Sequence, residues 1–91
     1  MGKTLDQITP EDDLFGRRLT EYLRWKHIKQ KVLAAKLGMS PPSIHHYLYG
    51  IRRMKIDVFA RTVYETQMEP DDVMYLLSTY YPEENKNKTN K

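Results

Sequence analysis

Ninety-one residues with a net charge of +3 and no cysteine suit one domain with a modest core, and exclude a disulfide framework and thiolate metal sites. No apolar run approaches the roughly 20 residues of a membrane span, and the opening MGKTLDQITPEDD has no apolar secretory core, so the expectation is a cytoplasmic chain with no membrane partner. The charge is unevenly placed: residues 1–14 carry −3, residues 15–56 set ten Lys/Arg against Glu21 alone for +9, residues 57–81 carry −4 and residues 82–91 carry +1. A basic block of this kind points to a polyphosphate partner; the other reading is a solvated lysine-rich face.

The pattern is helical throughout. Thr9-Pro10-Glu11-Asp12 reads as a helix start, with a capping hydroxyl, a proline for the first turn and acids at the positive dipole end. Phe15, Leu19, Tyr22 and Leu23 then form one apolar face of a helix expected to end near His27. A second helix fits residues 30–37, with Leu33, Ala34 and Leu37 inward and Gly38 as a left-handed stop. Ser40-Pro41 opens a third, whose Ile44, Tyr47 and Leu48 face the core and which Gly50 ends. A basic loop runs from Ile51 to Ile56. Asp57 is expected to cap a fourth helix, with Val58 or Phe59, Ala60, Val63 and Tyr64 as its apolar positions. Pro70-Asp71-Asp72 starts a fifth, running to about Tyr80 before Pro82 breaks it. The tail PEENKNKTNK is polar enough to be expected disordered.

Catalytic and metal chemistry find little support. His45 and His46 are adjacent and so point about 100° apart on a helix, with no carboxylate at i+4 of either, which argues against a metal site with His27 as third ligand. Ser43 and His46 have no evident orienting acid. The expectation is no enzyme, no metal and no cofactor.

Two short helices separated only by Gly38-Met39-Ser40 must cross steeply, so that the second can lie in a major groove while the first braces on the backbone. The stretch FGRRLTEYLRWKHIKQKVLAAKLGMSPPSIHHYLYG resembles the lambda-repressor-like (Cro/XRE type) helix-turn-helix family. Phe15-Gly16, Leu19, Gln30, Leu33-Ala34, Leu37-Gly38, Ser40, Ile44 and Gly50 keep the family's spacing, and the register continues through Phe59-Ala60-Arg61, Val63 and Asp71-Asp72-Val73. The resemblance implies an all-α, five-helix DNA-binding domain with the helix-turn-helix at about residues 30–50. Residues 1–10 would be an N-terminal arm, 11–81 the domain and 82–91 a disordered basic tail.

Departures from the family pattern are informative. The family often has an arginine at position 23 and a glutamate at position 48; here both are leucine, and replacing both members of an ion pair leaves an apolar contact. Leu23 is therefore expected to touch Leu48. Lys29 stands where a Ser/Thr cap is usual, and His27 and Gln67 stand at common glycine positions. Pro41 and Pro42 stand where the family places base-reading polar side chains. Proline can meet only a thymine methyl there.

The base-contact candidates are therefore Ser40, Pro41, Pro42, Ser43, His46 and Tyr49. On a helical wheel Pro42, His46 and Tyr49 point outward and His45 lies on a flank. The phosphate-contact candidates are Lys29, Gln30, Lys31, Arg52, Arg53 and Lys55, with Arg17 and Arg18 weaker. Met74, Tyr75 and Tyr81 are left over once Val73, Leu76, Leu77 and Tyr80 face the core, so they suggest a dimer interface.

The function expected is a sequence-specific transcription regulator, a Cro-like repressor of bacterial or phage type, binding a palindromic site on double-stranded DNA as a homodimer. The rival expectation is a modulator, antirepressor or antitoxin that uses the fold to hold another regulatory protein. It is motivated by Pro41-Pro42 and by Trp25 and Val32, apolar residues at positions usually polar in the family.

Overall fold

Thr9 opens the first helix as its residue type predicts. Its backbone is extended and its hydroxyl accepts the Asp12 N–H at 3.1 Å. Pro10 then takes the first helical position, and Glu11, Asp12 and Asp13 fill the first turn. The computed structural model describes residues 8–81; most of the expected N-terminal arm (residues 1–7) and the expected tail (82–91) lie outside the described residues. Within them the protein is all-helical, with five helices and no strand: α1 (Pro10–Trp25), α2 (Gln30–Leu37), α3 (Pro41–Leu48), α4 (Ile56–Thr66) and α5 (Pro70–Leu77). Among the described residues no helix is long and apolar enough to cross a membrane.

The core gathers the faces that the helical spacing predicts. Phe15, Leu19, Tyr22 and Leu23 of α1 are buried with Leu33 and Ala34 of α2, Ile44, Tyr47 and Leu48 of α3, Phe59 of α4 and Leu76 of α5. Helix α1 packs on α3 and α5, while α2 packs on α3 and α4. Leu23 and Leu48 both sit in this core and border one cleft, where an ion pair would need full desolvation.

The approach of α1 to α3 is closest at two glycines. A Cβ on Gly16 would stand 2.7 Å from the carbonyl carbon of Leu48 and 3.0 Å from the carbonyl oxygen of Tyr47. A Cβ on Gly50 would stand 2.9 Å from the Asp13 nitrogen. Backbone therefore lies on backbone at both points.

Four helices end in the same way. His27, Gly38, Gly50 and Gln67 all have positive φ. In each case the next residue donates its N–H five positions back: Ile28 to Leu23, Met39 to Ala34, Ile51 to His46 and Met68 to Val63. This is the Schellman closure, which satisfies carbonyls that the helix leaves open. Glycine adopts that conformation without strain, whereas His27 (φ 62°) and Gln67 (φ 54°) hold a Cβ in the left-handed region.

Several expectations are corrected. Helix α1 ends at Trp25, two residues before His27. Helix α4 starts at Ile56 with Lys55 in the cap position, and Asp57 lies inside the first turn, where its carboxylate accepts the Val58 N–H at 2.9 Å. Ala60 and Tyr64 are exposed, Tyr64 at 77%. The inner face of α4 is instead Phe59, Thr62, Val63 and Thr66. The two threonines tolerate burial because their hydroxyls bond back to the carbonyls of Val58 (2.9 Å) and Thr62 (2.8 Å), leaving no polar atom unmatched. Helix α5 ends at Leu77 rather than near Tyr80. Residues 78–81 continue in tight turns, and Arg18 Nη1 lies within hydrogen-bond distance of the Tyr75 carbonyl (3.0 Å) and of the hydroxyls of Ser78 (3.2 Å) and Thr79 (3.1 Å).

Two substitutions test this account in opposite directions. Gly16→Ala should destabilise the fold by about 1–3 kcal/mol, since neither Leu48 nor Tyr47 can withdraw its backbone. Gln67→Gly should stabilise it by about 0.5–1 kcal/mol through relief of the left-handed strain. Chemical denaturation midpoints of the two variants read both effects, and a neutral Gly16→Ala would refute the close approach.

Candidate nucleic-acid interface

Helix α3 presents a narrow exposed stripe. Ser40 caps it: its Oγ accepts the Ser43 N–H at 3.4 Å and shares a hydrogen bond with the Ser43 hydroxyl at 3.0 Å. Pro41 and Pro42 fill the first turn and are exposed, while Ile44, Tyr47 and Leu48 hold the opposite face in the core. His45 and Tyr49, one turn apart, are both exposed and their rings stack with centroids 4.1 Å apart. The stripe therefore runs Pro41, Pro42, His45, Tyr49.

His46, placed outward by the helical wheel, is half-buried, and so is Ser43. The chain leaving α3 turns back at Gly50, and the N–H groups of Ile51 (2.9 Å) and Arg52 (3.2 Å) both bond to the His46 carbonyl. His45 is the more accessible of the two rings. The pairing of His45 with Tyr49 was legible in principle, since residues at i and i+4 meet on a helix surface.

Helix α2 offers its N-terminus beside this stripe. Lys29 stands at the cap position without a side-chain cap bond, and the first turn carries no acid, unlike α1 and α5. The amide groups there keep their partial positive charge for an incoming anion. Lys29, Gln30 and Lys31 are all exposed. One groove is lined by Gln30, Tyr49, Arg17, Arg24, Glu21 and Leu48, among others, so the start of α2, the end of α3 and the middle of α1 meet there. Arg24 was missed by sequence reasoning. The signal was its position seven residues after Arg17, two turns along the same face of α1.

The remaining arginines divide by role. Arg52 and Lys55 are exposed and, among the described residues, have no ion-pair partner. Arg17 pairs with Asp13 at 3.1 Å. Arg18, a weaker phosphate candidate, is taken up at the end of α5 and lies 4.2 Å over the Tyr75 ring.

Arg53 donates from Nε to Asp12 Oδ1 at 2.8 Å and lies 4.7 Å over the Tyr80 ring, while Tyr80 donates its hydroxyl to the same oxygen at 2.8 Å. Asp12 is 1% exposed, so Arg53 neutralises a buried carboxylate. The hydrogen bond to Asp12 holds the Arg53 guanidinium even more firmly protonated than usual. Burial, then the hydrogen bond to Asp12, push the Tyr80 phenol well above the ordinary tyrosine range.

Of the other residues singled out from the sequence, Met74, Tyr75 and Tyr81 are exposed, as are Val32 and Trp25, the last at 70%. Trp25 keeps its ring 6.4 Å from Tyr22. Among the described residues no three metal-ligating side chains come together. Comparison with protein-family models, with curated proteins and with solved structures returned no match for this chain.

The Asp12–Tyr80 bond has a pH signature. A phenol that ionises later in the folded chain than in the unfolded one leaves stability intact below the unfolded pKa of about 10, and withdraws it as pH rises further. Tyr80→Phe should cost about 1–2 kcal/mol at neutral pH, and the gap to the parent protein should narrow above about pH 10. Urea unfolding across that range measures it; parallel stability curves would disprove the buried phenol's role.

Proposed function

We propose that this protein is a sequence-specific DNA-binding regulator in which α2 and α3 act as a helix-turn-helix, α3 being the recognition helix. The reading rests on one juxtaposition: the exposed stripe of α3 lies beside the acid-free start of α2 with Lys29, Gln30 and Lys31, and Arg52 and Lys55 follow it in the chain. The resemblance to the lambda-repressor-like family agrees with it. Major-groove entry of α3 would bring Pro41 and Pro42 to thymine methyl groups and the rings of His45 and Tyr49 to base edges. Phosphate contacts from Lys29, Gln30, Lys31, Arg52 and Lys55 would fix the register. Two copies would read a palindrome with half-sites one DNA turn apart, and the protein would repress by occupying its operator.

A second reading has one observation in its favour. Trp25 is exposed at 70% and Val32 at 43%, and a large exposed aromatic is a frequent anchor for a protein partner. On that reading the fold holds another regulatory protein.

Selection of binding sites from a random duplex library, followed by affinity measurements across salt concentrations, distinguishes the two. A palindromic consensus is expected. Lys29→Ala and Arg52→Ala should each weaken binding and reduce the log–log salt slope by about 0.9. Arg53→Ala is a poor probe, because Arg53 is bound to the buried Asp12 carboxylate and its loss would disturb the fold as well as the surface charge. No enriched sequence, or slopes unchanged in both variants, would reject the DNA reading and turn attention to a Trp25→Ala partner screen.

A further inference from the structure

The cleft that Leu23 and Leu48 border opens at the turn between α1 and α2. Its volume is about 450 Å³, within the roughly 300–1,000 Å³ of small-molecule sites. Leu23 and Leu48, both buried, and the half-buried Ile28 form its floor. Arg24, His27 and Lys29 stand exposed on its rim. Among the described residues neither Arg24 nor Lys29 has an ion-pair partner, and no acid lines the cleft. The adjoining groove shares Arg24 and Gln30 with it and carries Asp13 and Glu21. Asp13 is paired with Arg17. Both acids precede Arg24 on α1, whereas His27 and Lys29 follow it, so the end of the cleft formed by the turn is the basic one.

We infer that this cleft binds a small carboxylate with an apolar body, of the medium-chain fatty acid or arylalkanoic acid kind. Two features select that chemistry. The first is the pairing of floor and rim. An apolar body displaces water from Leu23, Ile28 and Leu48. The head meets Lys29 and the Arg24 guanidinium, whose planar fork matches a carboxylate. A DNA phosphate would satisfy the rim and leave the apolar floor unfilled. The second feature is His27. It holds φ at 62° where a helix closes, a conformation that glycine adopts without strain. Strain alone marks nothing, since Gln67 shares it. At His27 it coincides with the cleft, and the strained residue carries an imidazole N–H donor on the rim, as ligand sites often do. Lys29 and Gln30 are also the proposed phosphate contacts, so an occupied cleft competes with DNA. That consequence rests on the DNA reading; the carboxylate site itself does not.

Heteronuclear NMR titration of the full chain with octanoate and with hydrocinnamate tests the site. The backbone amides of Arg24, His27, Ile28 and Lys29 should shift and saturate, with a dissociation constant of about 1 mM or lower. Acetate, which lacks the body, and octanamide, which lacks the charge, should each bind at least about tenfold more weakly. Arg24→Gln, at an exposed position, should weaken octanoate binding by about tenfold. His27→Gly moves two readouts in opposite directions. Its melting temperature should rise as the left-handed strain is relieved, while octanoate binding weakens by about threefold or more. No saturation by either carboxylate, equal binding of acetate or octanamide, or parent-like affinity in both variants would each overturn the inference. Affinity for a selected duplex is read separately and should fall by about tenfold at saturating octanoate; an unchanged value removes the competition. A chain that takes octanoate but selects no duplex removes the DNA reading alone, and one that binds a duplex but no carboxylate removes the cleft alone.

Discussion

Gly16 lets α1 lie directly on the C-terminal carbonyls of α3, and Gly50 lets the chain leaving α3 pass the backbone of Asp13. Side chains at an interface can repack, but backbone pressed on backbone has almost no alternative arrangement. The angle of α3 against α1 is thereby set without reference to side-chain choice. The α3 stripe, the start of α2 and the groove between them all take their positions from it. The leucines at 23 and 48 fit this arrangement, since they fill the adjoining space with apolar volume.

The basic segment is less uniform than its charge suggests. Arg18 and Arg53 sit within the same run of positive residues as Lys29 and Arg52, yet they are fastened to the end of α5 and to Asp12. A guanidinium can serve a buried acceptor and stay charged while its stem packs. The basic side chains left exposed are correspondingly fewer, among them Lys29, Lys31, Arg52, Lys55 and Arg24.

Much of the fold was legible because its punctuation is chemical and local. Thr9-Pro10, Ser40-Pro41, Gly38 and Gly50 each dictate a start or a stop, and the spacing of Phe15, Leu19, Tyr22 and Leu23 allows only one inner face. Where the reading failed, the cause was tertiary. Thr62 and Thr66 read as polar but are buried, because back-bonding conceals their hydroxyls. The end of α5 carries a bond from Arg18, 57 residues away from Tyr75, which local periodicity does not contain. His46 is half-buried, which a helical wheel of α3 alone does not reveal. Arg53 could not be separated from Arg52 by sequence, since their difference lies in the one buried carboxylate within reach. The cleft lined by Leu23, Ile28 and Leu48 joins two helices and a turn, so periodicity within any one of them could not reveal it.

Asp12 accepts from residues at opposite ends of the domain's logic: Arg53, which leaves the α3 loop, and Tyr80, which follows α5. It belongs itself to the first turn of α1. Helix termini ordinarily fray one by one, each at its own small free-energy cost. Here the opening of α1 exposes the acceptor that holds the end of the described chain, and the opening of that end uncovers the carboxylate in α1. The two extremities are thus one cooperative unit, so that hydrogen exchange at the first turn of α1 and around Tyr80 should share a single opening event.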